Sequence, residues 1–408
     1  MDKMVEWIKK HKFIIFLFLF SFIIRLITVL IVETPIISDF KTMYEASLEL
    51  INGTDNYKEM AYFLMWGYQM GHTIYQAILL LFFNSVFFLK LVNCIVTSFT
   101  VVFIYLICRK ISSERSAKIA SILYSLFVFP LLLNTVLSNQ QMPMLLILIS
   151  VYMLLNIDYD KYIKKSIVIG ILLGCSNILR SETIVIVFAI LLYSIYLVLI
   201  KYNLKKVLIS FIIIFMGYYL VFNGTSLLLK VTDISPSGLD INNSTWKFLE
   251  GFNHETGGMY SEEDAILYVG DEEACKEELV NRITQFSKLP ILFLKKVKIL
   301  WFNSDLSWSI ASLDGTFIYK LLDVINQIFI IVFNVLTFGS LFKFLKLKFD
   351  KSQILVSLIL LVYFGVYLLI EVMPRYAYSL QIFEAILIGV SIDYLFNLYS
   401  KIKKKRSW

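Results

Sequence analysis

Long uninterrupted apolar runs constrain this chain more than any other feature of its sequence. The first run, FIIFLFLFSFIIRLITVLIV at 13–32, holds a single charged residue. About 20 such residues cross the ~30 Å of hydrocarbon in a bilayer, and an open chain can span lipid only as helices. Hydrophobic residues make up 58% of the chain and charged residues 17%, against about half and a quarter in soluble proteins. The sequence therefore predicts an all-α protein that crosses a membrane many times.

Basic residues between the apolar runs decide the number of spans, because positively charged connections stay on the cytoplasmic side. The clusters are Lys9, Lys10 and Lys12; Arg109, Lys110, Arg115 and Lys118; Lys161, Lys164 and Lys165; Lys201, Lys205 and Lys206; Lys343, Lys346, Lys348 and Lys351; and the terminal KIKKKRSW. All of them fall on one side if there are ten spans and both termini are cytoplasmic. The predicted spans are 13–32, 86–108, 116–133, 139–156, 166–180, 183–200, 207–229, 317–341, 353–371 and 376–399.

Two long outer segments divide the spans into modules. We expect an N-terminal module of seven spans at 1–229, with a first outer loop at 33–85, a large extracytoplasmic loop at 230–316, and a three-span module at 317–408. The stretch 73–85 is apolar, but as a span it would place Arg109–Lys118 outside, so we interpret it as an interfacial helix, with a re-entrant segment as the alternative. The amphipathic stretch ILFLKKVKILWF at 291–302 predicts a second interfacial helix.

The charge and the cysteines exclude several classes of protein. The net charge of +7 sits in the topological clusters, which contact anionic lipid headgroups, and no basic stripe for nucleic acid is present. Cys94, Cys108, Cys175 and Cys275 have no CxxC spacing, which argues against zinc and disulfide frameworks. A histidine-rich metal site is excluded because His11 lies on the opposite side from His72 and His254.

The first outer segment carries a distinctive group of polar and aromatic residues. Asp39 follows the first span, Tyr44 and Ala46 lie on the next predicted helix, and Asn52–Gly53 marks that helix's end. The aromatic residues that follow are Tyr57, Tyr62, Phe63, Trp66, Tyr68 and Tyr75. By residue type alone, an N-cap aspartate and an interfacial aromatic belt explain them.

The order of motifs resembles the GT-C class of membrane glycosyltransferases, in particular the bacterial branch related to protein O-mannosyltransferases and lipid A aminoarabinose transferases. The motifs are Asp39 with YxxA, YQxGxxxYQ at 68–76, LKLVN at 89–93, LRSE at 179–182, GFNHETGGMYSEED at 251–264 and EVMPRYAY at 371–378. Phe40 stands where many relatives have a second acidic residue, Gly67 where they often have proline, and LRSE replaces LRPE.

The resemblance implies transfer of a sugar from a polyprenyl-phosphate-linked donor to an extracytoplasmic acceptor, which is a cell-envelope glycan, a glycolipid or a protein. Asp39 is then the general base. A lipid phosphate is already a good leaving group, so one carboxylate suffices and direct displacement predicts inversion at the anomeric carbon.

The donor phosphate needs cations. Arg375, beside Tyr376, is the first candidate, because a guanidinium grips phosphate as a planar fork, and Glu371 one turn earlier would orient it. Lys90 is the second candidate. Both cations have an alternative role as snorkelling membrane anchors.

Other polar residues are candidates for the substrate cavity or for ordinary structural bonds. Arg180 and Glu182 line the cavity or pair on the surface, and Gln69 and His72 contact sugar hydroxyls or make structural hydrogen bonds. No metal or other cofactor is predicted, with a divalent cation held by Asp39 and Glu255 as the alternative. The cavity candidates are Tyr44, Tyr62, Gln69, His72, Arg180, Glu182, Glu255 and Glu371.

Arg25 lies in the middle of the first span, where an unpaired charge costs about 2.5–3.5 kcal/mol or more. Glu384 lies at a similar depth in the last span. We therefore predict a structural Arg25–Glu384 pair that holds span one, and with it Asp39, against the last span.

Two other kinds of protein fit the composition. A transporter or flippase of a lipid-linked substrate would also carry buried charges, but it should show matched halves with Gly- or Pro-broken spans. The chain has six prolines and no such halves. A non-catalytic envelope-assembly subunit would not need a carboxylate and cations gathered at one surface.

Overall fold

The chain folds into helices, and its architecture is all-α, as predicted. The computed structural model describes residues 2–346 and 350–406, with side chains at 11–340 and 350–403; within these ranges the only β-type pairing is an isolated bridge between Trp66 and Ile241. The helices are α1 (Asp2–Ile31), α2 (Ser38–Asn52), α3 (Ala61–Met65), α4 (Met70–Phe82), α5 (Val86–Ile111), α6 (Glu114–Ser125), α7 (Val128–Leu132), α8 (Gln141–Leu155), α9 (Tyr162–Leu179), α10 (Thr183–Leu199), α11 (Leu204–Val231), α12 (Thr245–Gly251), α13 (Glu262–Tyr268), α14 (Glu272–Thr284), α15 (Leu289–Trp301), α16 (Ser307–Ile310), α17 (Phe317–Lys346), α18 (Lys351–Leu369) and α19 (Ala377–Arg406).

Seven helical segments in the described part of the chain are long and apolar enough to cross a membrane. An eighth span results if α6 and the bent segment Val128–Thr135, which turn by 58°, count as one. The predicted spans 139–156 and 183–200 coincide with α8 and α10, which are shorter apolar helices of 15 and 17 residues. The chain is thus a multi-pass membrane protein, and the count of ten spans stays a prediction. The seven segments are His11–Ile31, Val86–Ile111, Tyr162–Leu179, Leu204–Val231, Phe317–Ser340, Lys351–Leu369 and Pro374–Lys403.

Both predicted interfacial segments form helices. The stretch 73–85 lies mostly in α4, and 291–302 coincides with α15. Their position in the membrane interface stays a prediction, as does the sidedness of the termini. Part of the basic pattern lies outside the described side chains, namely Lys9, Lys10, Lys343, Lys346, Lys348 and the last five residues of KIKKKRSW.

The last helix is central to the bundle. In its most apolar stretch 78% of the residues are buried, against 22% in the first span, and it packs against α5, α6, α17 and α18. Helix α18 in turn packs on α10. The C-terminal helices therefore pack among the helices that precede them, and Arg375 of EVMPRYAY lies beside Asp39.

The predicted Arg25–Glu384 pair is wrong. Arg25 is fully buried, but it donates to the hydroxyl and carbonyl of Ser21 and lies near Tyr378 of the last span. Glu384 is buried against Trp301, which hydrogen-bonds to it. Tyr378 and Glu384 are six residues apart, about 240° around a helix, so they face different neighbours. The similar estimated depth of Arg25 and Glu384 in the membrane did not determine which helix face each residue lies on.

The two long outer segments dock on each other. The backbone N–H of Asn242 donates to the Met65 carbonyl at 3.2 Å, beside the Trp66–Ile241 bridge. At Gly67, a Cβ atom would lie 2.8 Å from the Asp240 carbonyl oxygen, so the approach requires glycine. The proline that many relatives have here would not fit this contact.

The second outer segment also holds the chain just before Arg375. The N–H of Glu371 donates to the Lys247 carbonyl at 2.7 Å, and the N–H of Val372 donates to the Gly258 carbonyl at 2.8 Å. The buried Lys296 ammonium lies 2.7 Å from the Ile370 carbonyl oxygen. The motifs GFNHETGGM and EVMPRY are therefore joined by a main-chain hydrogen bond, that between Gly258 and Val372.

Candidate active site

Asp39 lies in the first turn of α2, where a helix N-terminus favours negative charge. It is not the N-cap, because Ile37 occupies that position without a capping side chain. The residue before it, Ser38, has a φ of 53°, in the left-handed region that non-glycine residues seldom adopt. The helix ends at Asn52, and Gly53 has a φ of 71°, as the Asn-Gly pair predicts. The Asp39 side chain remains 40% exposed.

Arg375 and Asp39 lie together. The Nη2 atom of Arg375 is 3.6 Å from Oδ2 of Asp39, an ion-pair distance that is longer than a hydrogen bond. The guanidinium carbon stands 4.3 Å from the ring centre of Trp308 and 5.3 Å from that of Phe40. Arg375 is 10% exposed, and its buried Nη1 finds no hydrogen-bond partner among the described residues. An aromatic cage thus holds a cation with unused donors beside an accessible carboxylate.

Tyr62 borders the same pair. Its buried hydroxyl has no hydrogen-bond partner in the described part of the structure. Burial raises the pKa of Tyr62 well above its ordinary value, and the charge of Asp39 raises that pKa further. The phenol is therefore a neutral donor at physiological pH, suited to a hydroxyl or phosphate oxygen.

Tyr376 lies between two arginines. Its ring centre is 5.9 Å from the guanidinium carbon of Arg375 and 5.5 Å from that of Arg180. The ring also stacks on Tyr367 at 5.9 Å. Arg180 pairs with Glu182 at 3.2 Å, and the Ser379 hydroxyl donates to Glu182. The predicted pairing is thus present, but the pair is mostly buried rather than on the surface, and its role in the substrate cavity stays a prediction.

A buried polar segment between α7 and α8 escaped the sequence analysis. We call residues 134–141, NTVLSNQQ, the polar connection; all eight are buried. Asn139 donates to Oε1 of Gln69 at 3.0 Å and accepts from Arg180 at 2.6 Å, and Gln140 donates to the Arg375 carbonyl at 3.1 Å. Gln69 therefore has a structural hydrogen bond. The available signal was a group of uncharged amide and hydroxyl residues where two predicted spans, 116–133 and 139–156, meet.

Glu371 does not orient Arg375. Its carboxylate pairs with Lys247 of α12. Helix α18 ends at Leu369, and Ile370 and Met373 have extended backbones, so a spacing of four does not place Glu371 and Arg375 on one helical face. Lys247 also lies over the ring of Trp66 at 5.5 Å. The second outer segment thus supplies a cation that the sequence did not single out.

Lys90 and Tyr44 contact other groups than Arg375. The buried Lys90 ammonium lies 3.5 Å from the Thr34 carbonyl oxygen. Tyr44 packs on an apolar cluster that includes Leu80 and Leu89. Their roles at the substrate stay predictions.

His72 and Glu255 form no salt bridge with Asp39 or Arg375 in the described part of the chain. His72 is buried and lines a small cavity with Tyr75 and Gln76. Burial and then the charge of Arg180 lower the pKa of His72 to about 3, so its imidazole is neutral. Glu255 is exposed in the second outer segment. Among the described residues, no group of three or more His, Cys, Asp or Glu side chains could hold a metal ion.

The buried Glu250 of α12 should make the stability of the protein depend on pH. Burial, and then Asp264 and Glu371, raise the pKa of this carboxyl from 4.5 to about 8, which Ser261 and Lys247 only partly oppose. Between these values the unfolded state releases a proton that the folded state keeps, so stability falls as pH rises. We expect Glu250→Gln to raise the thermal unfolding temperature by several degrees near pH 9 and to change it little near pH 5. An equal gain from the exposed Glu263→Gln would contradict this assignment.

Comparisons with known proteins agree with the resemblance of the motifs. The model of the dolichyl-phosphate-mannose-protein mannosyltransferase family matches residues 69–228, a range that holds the polar connection and LRSE but neither Asp39 nor Arg375. No curated protein matches the chain.

Two solved structures of the Archaeoglobus fulgidus oligosaccharyltransferase are similar in fold. The complex of AglB with an inhibitory peptide and a dolichol-phosphate is 14% identical, with a TM-score of 0.56, over 98% of this chain and 52% of that chain. The apo form is 13% identical, with a TM-score of 0.57 and the same coverage. The chain spans about half the length of these structures. The GT-C resemblance is confirmed at the level of the fold.

Proposed function

We propose that this protein is a membrane glycosyltransferase that moves a sugar from a polyprenyl-phosphate-linked donor to an extracytoplasmic acceptor. The observation that carries the proposal is the 3.6 Å contact between Asp39 and Arg375, which are 336 positions apart in sequence. A base and a phosphate-binding cation are the two groups that this transfer needs most. The dolichol-phosphate in the AglB complex supports a lipid-linked donor.

Arg375 is the proposed phosphate ligand. Its Nη1 is buried without a partner, and its Nη2 is beyond hydrogen-bond distance of Asp39. Both nitrogen atoms can therefore donate to a phosphate oxygen without breaking an existing hydrogen bond. Charge-assisted hydrogen bonds from a guanidinium fork would neutralise the charge that develops on the leaving phosphate. Trp308 and Phe40 hold the guanidinium plane and exclude water.

Asp39 is the proposed general base. It would take the proton of the acceptor hydroxyl as the new bond forms between that oxygen and the anomeric carbon. The bond between this carbon and the phosphate oxygen breaks, and its electron pair leaves with polyprenyl phosphate. Attack opposite the leaving group inverts the anomeric carbon. Because the acceptor and the phosphate then lie on opposite faces of the sugar, the ion pair must open when the donor binds.

The test is transfer of a radiolabelled sugar. The purified protein in lipid vesicles is given a polyprenyl-phosphate sugar and an envelope extract, and label is measured in the acceptor fraction. We expect label in a glycan, glycolipid or protein. Movement of intact donor across the bilayer without transfer would instead support the transporter hypothesis.

Arg375→Lys is expected to raise the KM for the donor by about tenfold to a hundredfold, because a point charge replaces the bidentate fork. The turnover at saturating donor should change less. Arg115, which lies 4.0 Å from the ring centre of Phe396, provides a matched control. Arg115→Lys makes the same change at a stacked but exposed arginine and should leave donor KM unaltered. Equal KM values in all three proteins would remove Arg375 from the phosphate site.

The proposed orientation puts both termini in the cytoplasm and the site outside. The basic clusters favour it through the positive-inside rule. The mutual docking of the two long outer segments around Asp39 and Arg375 supports a working surface on one face. The transfer proposed here requires no metal, and a cation held by Asp39 and Glu255 stays the alternative.

A further inference from the structure

The polar connection is unusual for a link between two membrane helices. Links of this kind normally run over the protein surface, where water satisfies their polar groups. Here Asn134, Thr135, Ser138, Asn139, Gln140 and Gln141 are each 5% exposed or less. Burying six polar side chains costs free energy unless they are hydrogen-bonded, so their partners show what the segment holds in place.

Gln140 holds the main chain at Arg375. Its amide nitrogen donates to the Arg375 carbonyl at 3.1 Å, across 235 positions of sequence. The Ser138 hydroxyl donates to Oε1 of Gln140 at 3.3 Å, which fixes the amide so that its N–H groups point at that carbonyl. Arg375 lies in a single short 3₁₀ turn, Pro374–Tyr376, whose own hydrogen bonds are few. The turn therefore depends on Gln140 for a buried bond from outside.

Asn139 holds the side chain of the second arginine, Arg180. It accepts from Nη1 of Arg180 at 2.6 Å and donates to Gln69 at 3.0 Å. Arg180 and Arg375 lie at 5.5 Å and 5.9 Å from the ring of Tyr376. Two consecutive residues of one connection thus hold the two cations that flank this tyrosine.

We propose that Gln140 is a positioning residue for the donor phosphate, acting through the main chain of Arg375. The proposal rests on the glycosyltransferase function proposed above. Gln140 does not contact the donor; it fixes the turn from which the guanidinium reaches between Trp308 and Asp39. Without the bond, the Arg375 carbonyl keeps only the Ala377 N–H of its own turn, and the turn relaxes, which moves the guanidinium away from the phosphate.

The matched pair of variants is Gln140→Glu and Gln141→Glu. Gln141 is its neighbour, equally buried, and also donates to a main-chain carbonyl, that of Leu133 at 3.0 Å. Each change removes an amide donor and puts a carboxyl in its place. We expect Gln140→Glu and Gln141→Glu to lower thermal stability by similar amounts. Gln140→Glu should also raise donor KM about tenfold at neutral pH, whereas Gln141→Glu should leave donor KM unchanged. Gln140→Met and Gln141→Met repeat the comparison without a charge if the carboxylates prevent folding.

The outcomes separate the two proposals. If the wild type transfers sugar and both positions shift donor KM equally, or neither does, Gln140 has no positioning role and the inference is wrong. If the wild type transfers no sugar, the proposed function fails and the inference fails with it. A tenfold shift at Gln140 alone, with equal loss of stability at both positions, supports the inference.

Discussion

Asp39→Asn is expected to abolish most sugar transfer, by a factor of about 10²–10⁴, while the protein stays folded. The amide has nearly the shape of the carboxylate but cannot take the acceptor proton. Asp39 is 40% exposed, and its ion pair with Arg375 is long, so little stability is lost with the charge. The measurement is initial transfer rate at saturating donor, together with the thermal unfolding temperature.

Glu45→Gln is the matched control for this change. Glu45 lies on the same helix and makes a comparable ion pair, with Lys41 at 3.7 Å, on the exposed face of α2. It should transfer sugar at the wild-type rate. Full activity in Asp39→Asn would rule out the base role, and equal losses in both variants would point to a general effect of charge on α2.

Gly71→Ala is expected to prevent stable folding. A Cβ atom at this position would lie 1.7 Å from the carbonyl oxygen of Ile178 and 2.6 Å from its carbonyl carbon. Both atoms are main chain, so no side chain can turn aside, and the start of α4 must separate from the end of α9. Overpacking of this kind costs about 3 kcal/mol or more. The measurements are the yield of monodisperse protein and its unfolding temperature.

Gly224→Ala makes the same chemical change where nothing lies within 4 Å of the added carbon. Because alanine favours a helix over glycine by about 0.5–1 kcal/mol, this variant should be as stable as the wild type or slightly more so. If Gly71→Ala matched it in yield and unfolding temperature, the close approach of α4 and α9 would be wrong.

The sequence predicted the features that depend on local pattern. Apolar runs predicted the seven long apolar helices, and Asn52–Gly53 predicted the end of α2, because hydrophobicity and left-handed turns are properties of neighbouring residues. The proximity of Asp39 and Arg375 also followed from the sequence, through the order of family motifs. Helical periodicity could not have predicted this contact, because Asp39 and Arg375 lie on different helical segments far apart in the sequence.

The features that the sequence missed depend on which way each helix faces. Estimated depth put Arg25 and Glu384 at one level, but the helical faces separate them. The four-residue spacing of Glu371 and Arg375 suggested one helical turn, but the chain there is extended, and Lys247 from the second outer segment takes the carboxylate. The sequence alone did not show that the polar connection is buried, because its burial comes from packing against distant residues such as Arg375.

The most direct test of the central claim is an experimental structure with a polyprenyl-phosphate sugar bound. The ion pair between Asp39 and Arg375 should open, the phosphate oxygens should contact the Arg375 guanidinium, and Asp39 should face the anomeric carbon from the side opposite the phosphate. A donor phosphate bound elsewhere, with the Asp39–Arg375 pair still closed, would contradict the proposed site.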